Sequence, residues 1–431
     1  MSSYKLDRHI LFRHRDVPNI REIDVFLADQ GYQGLRKAIK EMKPSEVIDQ
    51  VKAAGLRGRG GAGFPTGMKW SFIPQNISPK YIVVNGDESE PGTFKDREIM
   101  EYNPHLFIEG IALCAYAVGA ATAYVYGRGE FLSTFRYLQN AINQAYEKGF
   151  LGKNILGSDF SLDIHLHLGA GAYICGEETA LLNSLEGYMG QPRNRPPFPA
   201  VAGLYAKPTV INNVETLTGV PYIIQHGVEA YRKYGTEKSP GTKIISLSGR
   251  VNKPGNYEIN IGTPVRYLLE ELGGGIIGGK QVKAILPSGA ASSILPGDKI
   301  DTAMDYEAMA AAGSMLGSGS FIVLDETVDA VWAEKKVIDF FKHESCGKCS
   351  PCREGTHWLK SIFTKITEGH GTKKDVDLLT TIINQMEGNC FCPLGEFVVP
   401  GVRTSLKFFR SEYDSRVVDE PANGAPVHLH L

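Results

Sequence analysis

The residues best equipped for chemistry lie near the end of the chain. The stretch "ESCGKCSPCREG" places Cys346, Cys349 and Cys352 as C-x2-C-x2-C, and "GNCFCPLGE" adds Cys390 and Cys392 about forty residues later. Thiolates at that tight spacing wrap a short loop around one face of a cube-shaped cluster. A distant fourth cysteine then closes the opposite corner, the way cysteines hold [4Fe–4S]. Zinc also takes four cysteines, but its ligands usually come as two separated C-x2-C knuckles, so the cluster is the expected occupant. Of the last pair, Cys392 stands before Pro-Leu-Gly and is expected to be the fourth ligand. Cys390 is expected to be a packing residue.

A second candidate is "GLRGRGGAGFPTGMKW", residues 55–70, in which Gly58, Gly60 and Gly63 spell G-x-G-x-x-G. That fingerprint means a Rossmann dinucleotide site only when a strand enters it and a helix leaves it. Here "PSEVIDQVKAAGL" leads in, with Ser45 as a candidate cap and Val47, Ile48, Val51 and Ala54 at helical spacing. Pro65 follows and is expected to break any helix there. The Rossmann reading fails. What remains is a glycine loop among Arg57, Arg59 and Lys69, suited to a phosphate nest; the bland alternative is a flexible surface loop.

Two acidic loops follow apolar runs. "YIVVN" is succeeded by "GDESEPGTFKDRE", with Asp87, Glu88 and Glu90, at the kind of strand end where α/β folds place ligand groups. A solvated acidic turn is an equal alternative. "LDIHLHL" is succeeded by "GAGAYICGEETALL", where Gly169, Gly171 and Gly176 precede Glu177 and Glu178 at a helix start; the helix dipole favours carboxylates there with or without a ligand. "QPRNRPPFPA" offers Arg193, Arg195 and Phe198 held among prolines. "TVINNVET" supplies Asn212 and Asn213, amides that can pair with a polar heterocycle or cap the next helix.

The elements that must position these groups can be read from periodicity. "YIVVN", "TAYVYG" and "LDIHLHLG" read as strands, and "HLFIEGIALCAYAVGA" and "EFLSTFRYLQNAINQAYEKG" as helices, an alternation that implies an α/β layer with partly parallel strands. Residues 242–262 read as a β-hairpin, followed by the helix "TPVRYLLEELGG" and the strands "VKAILP" and "SFIVL": a small β-grasp-like α+β module. Helical patterning dominates from Thr327. The expected division is a non-compact N-terminal arm (1–40), an α/β nucleotide-binding domain (41–240), the β-grasp-like module (241–326), a helical cluster domain (327–415) and a tail (416–431).

With 431 residues and a net charge of −2, the chain has room for several domains and carries no basic nucleic-acid footprint. Its N-terminus lacks the apolar core of a signal peptide, and no run of about 18 apolar residues exists, so no membrane span and a cytoplasmic location are expected. An odd cysteine count without a secretion signal argues for metal ligation over disulfides. The terminal "HLHL" is set aside as a possible remnant unrelated to function.

Taken together, "GRGGAGFPTG", "NGDESEPGTFKDR", "GAGAYICGEETAL", "PRNRPPFPA" and "SCGKCSPC" resemble the NADH-binding flavoprotein subunit of respiratory complex I, in the family's order and over nearly the whole chain. Gly86 stands where the family usually has alanine, and Arg195 where lysine is common. The resemblance implies a non-Rossmann α/β nucleotide-binding domain, an SLBB-type β-grasp-like module and a C-terminal helical bundle carrying the cluster. It implies one cavity for FMN and NADH, and hydride transfer with no acid or base residue. On the FMN side it places Gly58, Arg59 and Gly60 of the glycine loop with Lys69, then Asn85, Asp87 and Glu88. Tyr173, Gly176, Glu177, Asn212 and Asn213 complete that side. For NADH it implies Gly61, Gly63 and Gly67 in the loop, Phe64, Phe72 and Phe198 against adenine, Glu178 near the adenosine ribose, Arg195, and Glu90 as a positioning group on the nicotinamide side.

The cluster ligands implied are Cys346, Cys349, Cys352 and Cys392. The implied partners are a thioredoxin-like [2Fe–2S] subunit and further iron–sulfur subunits. Those would tie the chain to the cytoplasmic face of the inner membrane, with quinone chemistry and membrane spans in other subunits. Two rival classes stay open: the diaphorase subunit of an NAD-linked hydrogenase or formate dehydrogenase, and a non-redox zinc-binding structural protein.

Overall fold

Short β-branched runs build the first sheet of the computed structural model, which describes residues 4–418. Strands β1 (Tyr81–Gly86), β2 (Thr122–Gly127), β3 (Asp163–Leu168) and β4 (Thr209–Asn213) lie in the order β3-β2-β1-β4, every pair parallel. The layer is therefore wholly parallel. In "TVINN" the last two residues are polar and the run is short, so sequence alone does not separate β4 from a loop. Its register beside β1, Val84 against Asn212 and Asn85 against Asn213, makes it a strand.

Helices α1 (Ile23–Ala28), α2 (Gln33–Glu41), α3 (Pro44–Ala54) and α4 (Thr66–Ser71) precede the sheet, and α5 (Lys95–Tyr102), α6 (Pro104–Val118) and α7 (Leu132–Glu147) connect its strands. All of α6 except Tyr116 is buried, which suits a helix apolar on every face. After β3 come α8 (Glu178–Leu185) and α9 (Pro199–Ala202); α10 (Val214–Thr218), α11 (Val220–His226) and α12 (Val228–Arg232) follow β4.

Three expectations need correction here. Residues before 40 are not a loose arm: Phe12, Phe26, Tyr32, Leu35 and Ala38 lie fully buried in the same core as β1 and α6. The mixed polarity of that stretch hid a sparse set of large apolar anchors. Ser45 does not cap α3; Lys43 does, its amide donating to Glu46 Oε2 at 2.6 Å. Pro65 does not end a helix but stands just before α4, where a missing N–H costs nothing.

The hairpin of β5 (Thr242–Gly249) and β6 (Gly255–Asn260) opens the module. Then come α13 (Val265–Tyr267, continued by a wide turn to Leu272), β7 (Val282–Ala290), β8 (Leu295–Pro296), α14 (Tyr306–Ala311) and β9 (Ser320–Asp325). The sheet runs β6-β5-β9-β7-β8, with β5 and β9 parallel and the other pairs antiparallel. Ile245, Leu247, Leu268, Leu295 and Phe321 give it a core of its own. Its contacts with the parallel-sheet region nevertheless join the two into one compact unit ending at Glu326, where three separate units were expected.

The second unit begins at Thr327. It is a bundle of α15 (Ala330–Glu344), α16 (Ser350–Thr367), α17 (Lys373–Met386) and α18 (Pro393–Asp414). Buried Leu359, Ile362, Phe363 and Ile366 on α16 recur at helical spacing, as do Val376, Leu379, Ile383 and Met386 on α17. Among the described residues no helix is long and apolar enough to cross a membrane. The terminal His-Leu repeat lies outside the described residues.

Candidate functional site

The glycine loop is built by its flanking helices. Gly55, with φ at 71°, ends α3, and the chain doubles back so that Gly58 N donates to Phe64 O (2.9 Å) and Thr66 N to Leu56 O (2.8 Å). The loop's carbonyls are held from behind. Gly58 O accepts from Tyr306 Oη (2.8 Å), Arg59 O from Lys243 Nζ (2.9 Å) and Gly63 O from Arg57 Nε (2.8 Å). The amides of Gly60, Gly61, Ala62 and Gly63 make no hydrogen bond among the described residues. Consecutive N–H groups left free of protein partners can take an anion, so the loop fits a phosphate.

Its cations are arranged otherwise than expected. Arg59 is buried, and its guanidinium turns into the core, donating to Tyr231 Oη (3.1 Å) and Pro240 O (2.9 Å). Arg59 therefore supports the loop from within and does not face a ligand. Lys69 on α4 remains half-exposed, 3.2 Å from Glu178 Oε2 and 2.9 Å from Ile211 O.

The ends of β1 and β4 meet this loop. A Cβ built on Gly60 would fall 2.9 Å from Asn213 Cβ, so only glycine lets the two segments touch. Asn213 Oδ1 caps α10 through Glu215 N (3.0 Å) while its Nδ2 donates to Asp96 Oδ2 (2.7 Å). Asn212 is buried, accepting from Trp70 Nε1 at 2.8 Å. Asn85 Nδ2 donates to Gly176 O (2.8 Å), and a Cβ on Gly176 would stand 3.3 Å from Asp87 Oδ2. Asn85, Asp87, Gly176, Asn213 and the glycine loop thus converge at the carboxyl end of the parallel sheet, where such folds bind ligands. Gly86 also has a packing reason: a Cβ there would lie 2.8 Å from Tyr126 O.

Glu88 departs from the expected role. Its carboxylate is buried at the start of α5, accepting from Asp96 N (2.7 Å) and Arg97 N (3.0 Å), with burial and the adjacent Asp96 pushing its pKa up to about 8. It shapes the acidic loop from inside. Glu90 accepts from Tyr173 Oη (2.7 Å) and from Ala291 N of the module (3.0 Å), and burial raises it to about 7. Glu90 and Tyr173 are thus brought together, and the module takes part in their pairing.

At the α8 start, Glu177 Oε2 accepts from Thr179 N and Ala180 N, both at 2.9 Å, capping the helix. Its other oxygen pairs with Arg195, which also reaches Glu178 Oε1 at 3.2 Å. Lys69, Glu177, Glu178 and Arg195 therefore form one ionic chain. Phe64 and Phe72 lie near each other, ring centroids 6.3 Å apart, and stand 47% and 53% exposed; Phe198 is 57% exposed. These three open rings fit stacking on a flat heterocycle. Gly67 is buried against α3, a Cβ there meeting Lys52 N at 2.6 Å, so it serves helix packing. Residue types alone did not single out Tyr306, Lys243 or Thr216, which hold the loop: each is distant in sequence and has no motif.

The cysteines sit at two helix starts in the bundle. Cys349 is the N-cap of α16 and Cys392 the N-cap of α18, each followed closely by a proline in the first helical turn. The positive ends of two helix dipoles favour thiolates there. Ser345 Oγ lies 3.3 Å from Cys352 Sγ, and Phe391 N donates to Cys349 Sγ at 3.5 Å, so the two cysteine loops meet. Lys348 lies 4.3 Å over the Phe391 ring and ties them further. Cys390 Sγ faces Met386 O at 3.4 Å and packs against Gly395. Among the described residues no three such side chains gather around a single-ion position. A cube takes one thiolate at each of several irons, and two cysteine loops that meet, with cysteines at two helix starts and the Phe391 amide on Cys349 Sγ, fit it.

One unit offers a glycine loop suited to phosphate at the carboxyl end of a parallel sheet, and the other offers cysteines at and near two helix starts; together these features fit a nucleotide-binding, iron–sulfur electron-transfer protein. Three families match the chain: the Nuo51 FMN-binding domain over residues 51–222, the SLBB domain over 244–291, and the NADH-ubiquinone oxidoreductase-F iron-sulfur binding region over 333–416. The second NADH-quinone oxidoreductase F-type subunit of Rhizobium meliloti (strain 1021) is 51% identical over 95% of this chain and 97% of its own. The NADH-quinone oxidoreductase F-type subunit of Mycobacterium tuberculosis (strain ATCC 25618 / H37Rv) is 50% identical over 95% and 93%. A crystal structure of NAD+-reducing [NiFe]-hydrogenase in the H2-reduced state superposes with a TM-score of 0.84 at 32% identity, over 97% of this chain and 68% of that one. The chain belongs to the NADH-quinone oxidoreductase-F family.

Proposed function

We propose that this chain is the NADH-oxidising, electron-input subunit of a type I NADH:quinone oxidoreductase, holding FMN and a [4Fe–4S] cluster. The observation that carries the reading is the convergence of the phosphate nest, Asn85, Asp87 and Asn213 at one sheet end, in a chain whose last helices present Cys346, Cys349, Cys352 and Cys392. FMN bound at the sheet end would supply hydride acceptance from NADH and single-electron release, and a cluster held by Cys346, Cys349, Cys352 and Cys392 would supply one-electron transfer. The chain's own residues hold and orient. Amides of Gly60 to Gly63 take phosphate, and Asn85 and Asn213 fix the sheet end against the loop. Phe64, Phe72 and Phe198 offer faces to adenine, Glu178 meets the adenosine ribose, and Glu90 with Tyr173 flanks the nicotinamide side. None of these acts as nucleophile or general acid.

Electrons leave toward iron–sulfur subunits, among them a thioredoxin-like [2Fe–2S] partner, which attach the chain peripherally at the cytoplasmic face of the inner membrane. The greater identity to the quinone-reducing F-type relatives than to the hydrogenase chain supports this reading over a diaphorase, and the iron–sulfur family match supports it over a zinc protein. The absorbance spectrum tests it. The reconstituted chain should show flavin and iron–sulfur bands, and the flavin band should bleach on adding NADH. A colourless protein, or bands indifferent to NADH, would overturn the reading.

A further inference from the structure

The β-grasp-like module reaches back to the glycine loop through one short segment. Tyr306, at the start of α14, donates from Oη to Gly58 O (2.8 Å). Its ring closes on Gly63, whose φ is 65° and on which a Cβ would fall 2.6 Å from Tyr306 Cε1. Arg57 lies 4.1 Å over the same ring, reaches Glu307 Oε1 at 2.5 Å, and donates from Nε to Gly63 O. Ser239 Oγ donates to Glu307 Oε2 (2.6 Å) and completes the brace. Lys243, on the first strand of the module, holds Arg59 O at 2.9 Å.

We infer that Tyr306 and Glu307 are positioning residues for nucleotide phosphate, gripping the loop from behind so that its amides stay turned to the ligand. The inference rests on the reading above that this loop takes a phosphate of FMN or NADH. The physical link is the rigid trans peptide: drawing Arg59 O back toward Lys243 aims the Gly60 N–H the opposite way, while Tyr306 on Gly58 O and Thr216 Oγ1 under Arg59 N pin the peptide before it. Arg57, itself held by Tyr306 and Glu307, pins Gly63 O at the far end of the nest. A loop with four glycines in residues 58–63 loses much backbone freedom when ordered. A brace meets that cost at folding and leaves less of it to binding. The module thereby acquires a second role in the site, besides the amide that Ala291 gives to Glu90.

The test uses the full chain stripped of flavin, with Tyr306→Phe, which keeps the ring and loses the hydroxyl, and the milder Glu307→Gln. Binding of FMN and of riboflavin is followed by flavin fluorescence. Michaelis constants for NADH and for reduced nicotinamide mononucleotide are measured on the reconstituted chain. Each variant should weaken the phosphate-bearing ligand by about fivefold, the size of one lost hydrogen bond. Amide exchange over residues 57–65 should quicken while the melting temperature barely moves. A loss for FMN but not riboflavin assigns the nest to the flavin phosphate. A loss for NADH but not the mononucleotide assigns it to the adenosine-side phosphate of the dinucleotide, and an equal loss for both assigns it to the nicotinamide-side phosphate. Unchanged affinities in both variants, or equal weakening of FMN and riboflavin, would overturn the brace. A wild-type chain that takes up no FMN would instead overturn the functional reading beneath it.

Discussion

Phe198 stands at the N-cap of α9, among prolines that restrain its backbone, and more than half of it is exposed. Stacking on adenine is worth about 0.5–1.5 kcal/mol beyond area burial. Phe198→Ala is expected to raise the Michaelis constant for NADH several-fold and leave the melting temperature unchanged. The opposite pattern, lower stability with unchanged affinity, would mark a packing residue. Glu178 sits between Lys69 and Arg195, 3.2 Å from each. At the adenosine ribose, where it is proposed to lie, its charge would repel a 2′-phosphate by on the order of 4 kcal/mol at ~4 Å and an effective dielectric of about 20. Glu178→Gln removes that repulsion and releases two cations toward the same phosphate. NADPH turnover efficiency should rise at least tenfold, with a smaller loss for NADH. Steady-state kinetics with both dinucleotides checks this; unmeasurable NADPH oxidation at normal flavin content would shift the role to Glu177 or Glu90.

At the scale of elements, helix starts recur as the positions of the charged and ligating groups. Cys349, Cys392 and Glu177 are N-caps of α16, α18 and α8, and Glu88 accepts from the first amides of α5. One buried group belongs to packing instead. Glu334 of α15 lies in the bundle against Gly401 of α18, its Oε1 without a hydrogen bond, and burial alone raises its pKa to about 8. The folded state therefore keeps a proton that the unfolded chain releases near pH 4.5. That contribution to stability is complete below about 4.5 and is lost as pH rises through 8, at up to about 1.4 kcal/mol per pH unit. Glu334→Gln cannot ionise. Its melting temperature should exceed that of the wild type by a margin that grows from pH 5 to pH 8.5, read by calorimetry. A constant margin would mean Glu334 does not titrate in that window.

For the whole molecule, the division at Glu326 separates two kinds of chemistry. The residues proposed for the nucleotides lie in the first unit and the cysteines proposed for the cluster in the second, so each set should be removable without the other. Cys392→Ser is expected to abolish or weaken the cluster's EPR signal while NADH still bleaches the flavin and ferricyanide is still reduced. Cys390→Ser should keep the signal, because its sulfur faces Met386 O and Gly395. Signal lost in the second variant and kept in the first would exchange their roles.

The cluster motif was legible in the sequence, because C-x2-C-x2-C is a local signal, whereas the fourth ligand depends on how a second loop some forty residues on folds back to the triplet. Strands β1, β2, β3 and the hairpin were legible for the same reason: alternation and apolar runs are local signals. The tertiary structure decided what depends on partners far along the chain. β4 is a strand because β1 lies beside it, and the N-terminal residues are core because α6 receives them. Arg59, a cation that looked ready for phosphate, is a buried strut because Tyr231 and Pro240 wait for it more than 170 residues away. Tyr306 and Lys243 carry no motif at all. Their role exists only because folding brings their hydroxyl and ammonium within 3 Å of the loop's carbonyls, and hydrogen bonds of that reach leave no periodic trace in sequence.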